Sequence, residues 1–331
     1  MIISRTPVRI SYFGGGTDYR EYYHRNGGAV LGTTIDKYVY VSLNRFSSFF
    51  DYKIRVSYSK AELVNSVDEL VHPSVRACLQ HKNIDENLDI HIFADLPARS
   101  GLGSSSAFTV GFLNALYALE GKIITKEELA KEALFVEQEM LKENVGSQDQ
   151  VHAAHGGLNV IQFGNGWFKV HPLLISKAKR QLLEDATMII FTGQTRYANE
   201  VVKEQIERTK SRDNDDYLKR MHEMVPEAAM VISEQDGSSM LEDLGRLMHE
   251  TWGLKKSLSS QVSNSLINDA YDRAISAGAY GGKISGAGGG GFLMLIVDPA
   301  RQPAVRQALT NFLEVKFRFA DEGSSIIYLK H

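Results

Sequence analysis

The residue types and spacing best suited to chemistry lie in one run: Pro97, Ala98, Arg99, Ser100, Gly101, Leu102, Gly103, Ser104, Ser105, Ser106 and Ala107. Before it, an alternating apolar pattern (Leu88, Ile90, Ile92, Ala94) reads as a half-buried strand. After it, Phe108, Phe112, Leu113, Leu116 and Leu119 recur at helical spacing, and Gly121 closes the helix. A loop between a strand and a helix start offers free backbone N–H groups at the positive end of the dipole, which suits an anion. Gly101 and Gly103 let the backbone come close, and three consecutive hydroxyls add donors or metal ligands. The run predicts a polyphosphate cradle. It is not a Walker A loop, because no Lys follows the second Gly, and Ser106 stands where the dinucleotide fingerprint needs a third Gly. A plain serine N-cap is the alternative reading.

Other stretches could join it. Gly14, Gly15 and Gly16, followed by Thr17 and Asp18, form a turn that can approach a ligand, with Asp18 to accept from hydroxyls; a flexible turn capped by Asp is the alternative. Thr125-Lys-Glu-Glu128 is a capping box that predicts a helix to about Lys142. At about 100° per residue, Leu129, Ala130, Ala133, Leu134, Val136, Met140 and Leu141 share an arc of roughly 160°, with Glu137 near its middle. A carboxylate on a buried face must be paired or bind a cation, so Glu137 is either a core ion pair or a magnesium ligand. Asp149 is expected in a glycine-bounded turn beyond this helix. His152 and His155 lack a zinc signature. Glycines crowd 281–291 before a buried strand at 292–297, which implies backbone packed against a ligand or a facing loop.

The rest of the chain must position these groups. Its 331 residues suffice for two domains sharing a cleft. A formal charge of −3 gives no reason to expect nucleic acid or a membrane as partner. Cys78 is alone, so neither an internal disulfide nor a cysteine zinc site can form. The opening residues show no signal-peptide anatomy, and no apolar run approaches the ~20 residues of a membrane helix. A soluble, cytoplasmic protein is expected. Strands are expected at 1–13, where Pro7 suggests an edge or a break, within 28–46, at 55–58, 157–163, 187–193 and 325–329. Helices are expected near 196–210, 216–234, 238–256, 263–277 and 301–314, with a domain crossing within 164–186. The class is α+β, with its glycine-rich turns gathered at one cleft.

Three ordered motifs carry a family resemblance over essentially the whole chain: Thr6 to Asp18, Pro97 to Ala107, and Lys283 to Phe292. The chain resembles the GHMP kinases. The first motif, with Phe-Gly-Gly-Gly-Thr-Asp, is most similar to the subgroup acting on D-glycero-D-manno-heptose 7-phosphate, with L-fucokinase domains next. The resemblance implies a two-domain GHMP kinase fold: a ribosomal protein S5 domain 2-like domain over residues 1–180, and a ferredoxin-like domain over 181–331 carrying the third motif. The active site would lie in the cleft between them. It implies a sugar 1-kinase using ATP and Mg²⁺, with a small sugar phosphate as acceptor, its 1,7-bisphosphate as product, and nucleotide-activated heptose as the destination.

The resemblance also assigns residues. The loop from Pro97 through Ser100 to Ala107 would hold the ATP phosphates, and Ser105 and Glu137 the Mg²⁺. Asp149, twelve residues after Glu137, would be the base, with Arg9 facing it as charge stabiliser. Gly14, Gly15, Gly16, Thr17 and Asp18 would bind the sugar, as would Gly288 of the third motif. Galactokinases have Glu-His where this chain has Gly15-Gly16, which puts galactose in doubt as acceptor and leaves room at the far end of the sugar. Arg196 and Lys283 are both open as the cation for a 7-phosphate. Decarboxylation of a diphosphorylated mevalonate on the same fold, and a catalytically silent sugar or nucleotide sensor, are the alternatives of other classes.

Overall fold

A computed structural model describes residues 1–98, 101–194 and 198–330. The expected site residues Ser100 and Arg196 lie outside the described residues. Alternating and fully apolar runs give strands β1 (Ile2–Phe13), β2 (Gly28–Arg45), β3 (Ile54–Ser57), β4 (Ala61–Val64) and β5 (Leu88–Ala94). Helices α1 (Arg20–Asn26) and α2 (Pro73–His81) fall between them. The phosphate-loop candidate leads into α3 (Ser104–Leu119), and the Thr125–Glu128 capping box starts α4 (Lys126–Phe135). A π-helical turn, Val136–Met140, extends α4 and carries Glu137.

Asp149 is not in a turn. It sits in the first turn of α5 (Gln148–His155), a short helix buried nearly all round, in which Val151, Ala153 and Ala154 give no one-sided periodicity to read. The stretch expected as a crossing instead forms β7 (Trp167–Pro172), hairpinned to β6 (Leu158–Gly164), and α6 (Lys177–Ala186). Then follow β8 (Thr187–Phe191), α7 (Ala198–Lys210), α8 (Asp215–Glu234), α9 (Gly237–Leu258) and α10 (Ser265–Ser276). The glycine run hides a strand, β9 (Gly281–Ile284), before β10 (Phe292–Ile296). The expected last helix is shorter: α11 (Gln302–Ala308) gives way to β11 (Leu313–Val315), then β12 (Phe319–Ala320) and β13 (Ser325–Leu329).

Two sheets result. The first has nine strands with a path β13-β1-β2-β5-β3-β4; β6, β7 and β12 join through β2 and β6. Pro7 lies past the Ile2–Arg5 stretch that pairs with β13, where β2 alone pairs with β1, and at the irregularity between Pro7 and Val8, so it marks a break at a locally one-sided position. The second sheet runs β11-β8-β10-β9, all antiparallel, so its strands taken in chain order lie 4-1-3-2, a ferredoxin-like arrangement. β12 and β13 lie beyond residue 181 yet join the first sheet: β13 pairs with Ile2–Arg5 of β1, and β12 with Thr34 and Ile35 of β2. The core under the first sheet is built from β1, β2, β5 and α3, and continues through α8 and α9 to the second. Among the described residues no helix is long and apolar enough to cross a membrane.

Candidate active site

The three motifs converge. Arg9, on β1, is only 4% exposed although charged. Its Nε and Nη2 donate to Asp149 Oδ1 at 2.8 and 2.7 Å, and its Nη1 donates to the Gly101 carbonyl at 2.7 Å. The Arg9 amide also donates to the Leu102 carbonyl at 3.0 Å. One guanidinium therefore ties the α5 carboxylate to the glycine loop. Gly103, with φ +77° in the left-handed region, precedes α3, and a Cβ there would stand 3.1 Å from Asp149 Oδ2. The other oxygen of Asp149, Oδ2, thus faces the start of a helix whose N–H groups attract anions.

The glycine loops are mutually fitted. A Cβ on Gly101 would meet the Ser285 carbonyl at 2.6 Å, and one on Gly286 would meet Gly101 Cα at 2.6 Å, so the third motif lies directly on the second. Gly288 faces away; a Cβ there would meet the Val262 carbonyl at 2.7 Å. Gly14 is also spent on packing, with the Ala29 carbonyl 1.9 Å from an added Cβ. Thr17 is fully buried, its hydroxyl engaged with the backbone of Gly14 and Ala29. Gly15 is less crowded: among the described residues a Cβ there would make ordinary contacts with Gln148 Nε2 at 3.8 Å and Ser11 Oγ at 4.0 Å. Gly16 packs under Gln205 and Leu218. Asp18 is 1% exposed and accepts from the amides of Gly16 and Gln148 and from Gln148 Nε2. Burial, partly offset by these donors, holds its carboxyl above the usual carboxylate range.

Glu137 lies on the buried face, as its wheel position predicts, but its partners differ from the expected set. Ser106 Oγ donates to Glu137 Oε2 at 2.9 Å and Gln150 Nε2 at 2.5 Å, while Ser105 is exposed. Glu137 Oε1 is buried without a well-formed hydrogen bond among the described residues, although the Thr109 hydroxyl is near this carboxyl; burial, partly offset by Thr109, Gln150 and Ser106, pushes it up to about 7. No cluster of three or more acidic, His or Cys side chains that could hold a metal occurs among the described residues. One carboxylate with an unpaired oxygen beside hydroxyls suits Mg²⁺, which uses few protein ligands and completes its shell with water and phosphate. Pro97 is exposed and Ala107 buried at the two ends of the loop, and Ser104 is half-buried.

Several site residues escaped the sequence. Gln148 holds Asp18 and Gln150 holds Glu137, and their placement on either side of Asp149 was the available signal. Lys255 shares the buried face of α9 with Leu241, Leu244, Met248 and Trp252. Its ammonium donates to the carbonyls of Ile284, at 2.8 Å, and Gly286. The wheel that selects Glu137 selects Lys255 equally well. His152 is fully buried with neither ring nitrogen bonded among the described residues, and burial beside Arg9 lowers it to about 3. Two surface hollows, of about 750 and 660 Å³, lie elsewhere, one between Lys126 and His171 and one under α8 around Pro226 and Met230. None of the groups described above as reactive lines either hollow.

The sequence matches the family model for the GHMP kinases N terminal domain over residues 69–157, and that for the GHMP kinases C terminal over residues 238–315. A D-glycero-alpha-D-manno-heptose 7-phosphate kinase of Campylobacter jejuni is 33% identical over 318 residues, spanning 93% of each chain. An L-fucokinase/L-fucose-1-P guanylyltransferase of Bacteroides fragilis is 26% identical over 352 residues, 94% of this chain and 36% of that protein. The crystal structure of a D-glycero-D-manno-heptose 1-phosphate kinase from Bacteroides thetaiotaomicron superposes over the whole of both chains with a TM-score of 0.79 at 24% identity.

Proposed function

The chain belongs to the GHMP kinase family, and on that premise we propose that it is an ATP-dependent sugar 1-kinase acting on D-glycero-D-manno-heptose 7-phosphate. The observation that carries the reading is the Arg9–Asp149 pair set against Gly103 at the start of α3. It puts a carboxylate oxygen beside a seat for phosphate, as in-line phosphoryl transfer to a hydroxyl requires. The heptose reading is supported by the 33% relative.

Asp149 Oδ2 accepts the proton of the anomeric hydroxyl, Oδ1 being taken by Arg9. The sugar oxygen forms its bond to the γ-phosphorus while the bond to the β-bridging oxygen breaks. ADP leaves, and the proton stays on Asp149. Arg9 orients that carboxylate and offsets the charge growing on the sugar oxygen. The amides at the start of α3 and the glycine loop hold the phosphates. Glu137, through its unpaired Oε1, and Ser105 or Ser106 would hold Mg²⁺, which when bound neutralises charge between the β- and γ-phosphates. Asp18, fixed by Gln148, accepts from sugar hydroxyls.

The test is ADP release with heptose 7-phosphate, L-fucose, D-mannose and D-galactose, with the product's phosphorus site read by NMR. The expected outcome is a kcat/KM for heptose 7-phosphate about 100-fold or more above the others, since a site built for polar groups rejects analogues lacking them. Preference for fucose overturns the acceptor. Absence of ADP release with every sugar favours a nucleotide-binding sensor.

A further inference from the structure

We propose that Lys283 and Lys255 together form the seat of a phosphate dianion carried by the acceptor sugar, so that the cleft selects a sugar that is already phosphorylated. The inference rests on the reading above only in placing the acceptor beside Asp149. Lys283 is 3% exposed on β9 and has neither a hydrogen bond nor an ion pair among the described residues. Alternation along β9 turns it to the side of Gly281, where an added Cβ would meet the Gly245 carbonyl of α9. Lys255, 7% exposed, approaches from α9 and brackets Ser285 by donating to Ile284 and Gly286.

The charges felt by the two lysines are Arg9 and Asp18, and Lys283 also feels Lys255. Three buried basic side chains thus lie in the neighbourhood of two carboxylates. Asp149 is committed to Arg9, and Asp18 already accepts from Gly16 and Gln148. Charge on a buried lysine is costly to the empty protein, and burial lowers both lysines, Lys255 to about 7. A phosphate brings two negative charges and three acceptor oxygens to such a place. Ser11 Oγ, Gln148 Oε1 and Ser285 Oγ are further buried polar atoms left unbonded among the described residues. Ser11 and Gln148 border Gly15, and Ser285 lies between the two carbonyls that Lys255 holds. They are donors and acceptors awaiting a polar occupant.

The acceptor is favoured over the nucleotide as the source of this phosphate. The nucleotide phosphates already have the start of α3. The lysines share Asp18, whose partner Gln148 is the neighbour of Asp149 on α5. Because Gly286 also touches Gly101, the test separates the two sources.

Turnover is measured with heptose 7-phosphate and with the same heptose lacking the phosphate, for the full chain and for Lys283→Met. The expected result is a fall of about 10- to 100-fold in preference for the phosphorylated sugar, the size of one lost charge-assisted contact. The KM for ATP should stay within about threefold, a change worth less than such a contact. Equal losses on both sugars, or a loss confined to ATP, overturn the proposal. An arm independent of turnover uses inorganic phosphate with the nucleotide seat filled by a non-hydrolysable ATP analogue. Phosphate should raise the melting temperature of the wild-type chain and not that of Lys283→Met; no shift in the wild type overturns the proposal whatever the enzyme's sugar. Without ligands, Lys283→Met should melt at or above the wild type, because it replaces a buried polar side chain by an apolar one of similar length. A large drop would make Lys283 a structural prop and refute the seat.

Discussion

Arg9 grips two things at once, and separating them gives the sharpest test of the site. Asp149→Asn keeps the shape and an acceptor for Arg9 but removes the base, so kcat should fall roughly 10²- to 10⁴-fold. That corresponds to about 3–5 kcal/mol of barrier. The Arg9–Gly101 contact at 2.7 Å survives this change, so the KM for ATP should move less than about threefold. Arg9→Lys is different. A single ammonium cannot reach both the Asp149 carboxylate and the Gly101 carbonyl, so it forfeits at least one contact of about 1.5–3 kcal/mol. Both kcat and the KM for ATP should then worsen, the latter about tenfold. Steady-state kinetics with each substrate varied in turn reads both constants, and circular dichroism checks the fold. If Arg9→Lys leaves the KM for ATP untouched, the brace between base and phosphate loop has no function. Near-normal turnover in Asp149→Asn would remove Asp149 from the base role.

Glu137→Gln should raise the Mg²⁺ concentration for half-maximal activity about tenfold or more while ATP remains saturating, and an unchanged Mg²⁺ dependence would place the metal elsewhere. Gly101→Ala, at φ +84° and with the Ser285 carbonyl 2.6 Å from its Cβ, should lower the melting temperature and cripple ATP binding; ordinary affinity would mean the loops part easily. His152 is held near 3, below its unfolded value of about 6.5. Its unfolded form therefore binds the extra proton between those values, and stability falls as pH drops through 6.5. Between pH 6.5 and 5 the loss should be about 2 kcal/mol, read as the difference between wild-type and His152→Gln urea curves; parallel curves would discount the histidine.

What could be read in advance follows from how local each signal is. The strand before Gly101, the helix after it and the burial of Glu137 are set by periodicity over a few residues. Which of three adjacent serines meets Glu137 is not. Each step along α3 turns the side chain about 100°, so a one-residue change in where the helix starts exchanges Ser105 for Ser106. β9 was hidden because glycine carries no face, and its pairing with β10 alone defines it. α5 was hidden because it is buried on nearly every side. Lys255 is as legible in the sequence as Glu137. Its place on the apolar face of α9 carries the same cost as that of Glu137, but a basic pair, Lys255-Lys256, reads by habit as solvated surface.

The position of β13 bears on how the chain acquires its structure. β1 carries Arg9, and one edge of β1 pairs with residues 325–329. Until those residues are available, the N-terminal strand has unpaired backbone groups along that edge, a template for the wrong partner. Closing a loop of such length adds little entropy cost beyond that of a loop half as long, so the delay is one of order and not of final stability. The edge of β1 at Ile2–Arg5 is therefore completed only when residues 325–329 pair with it. Damage to Ser325–Leu329, far from the phosphate loop in sequence, should lower the yield of folded enzyme more than the activity of the molecules that do fold.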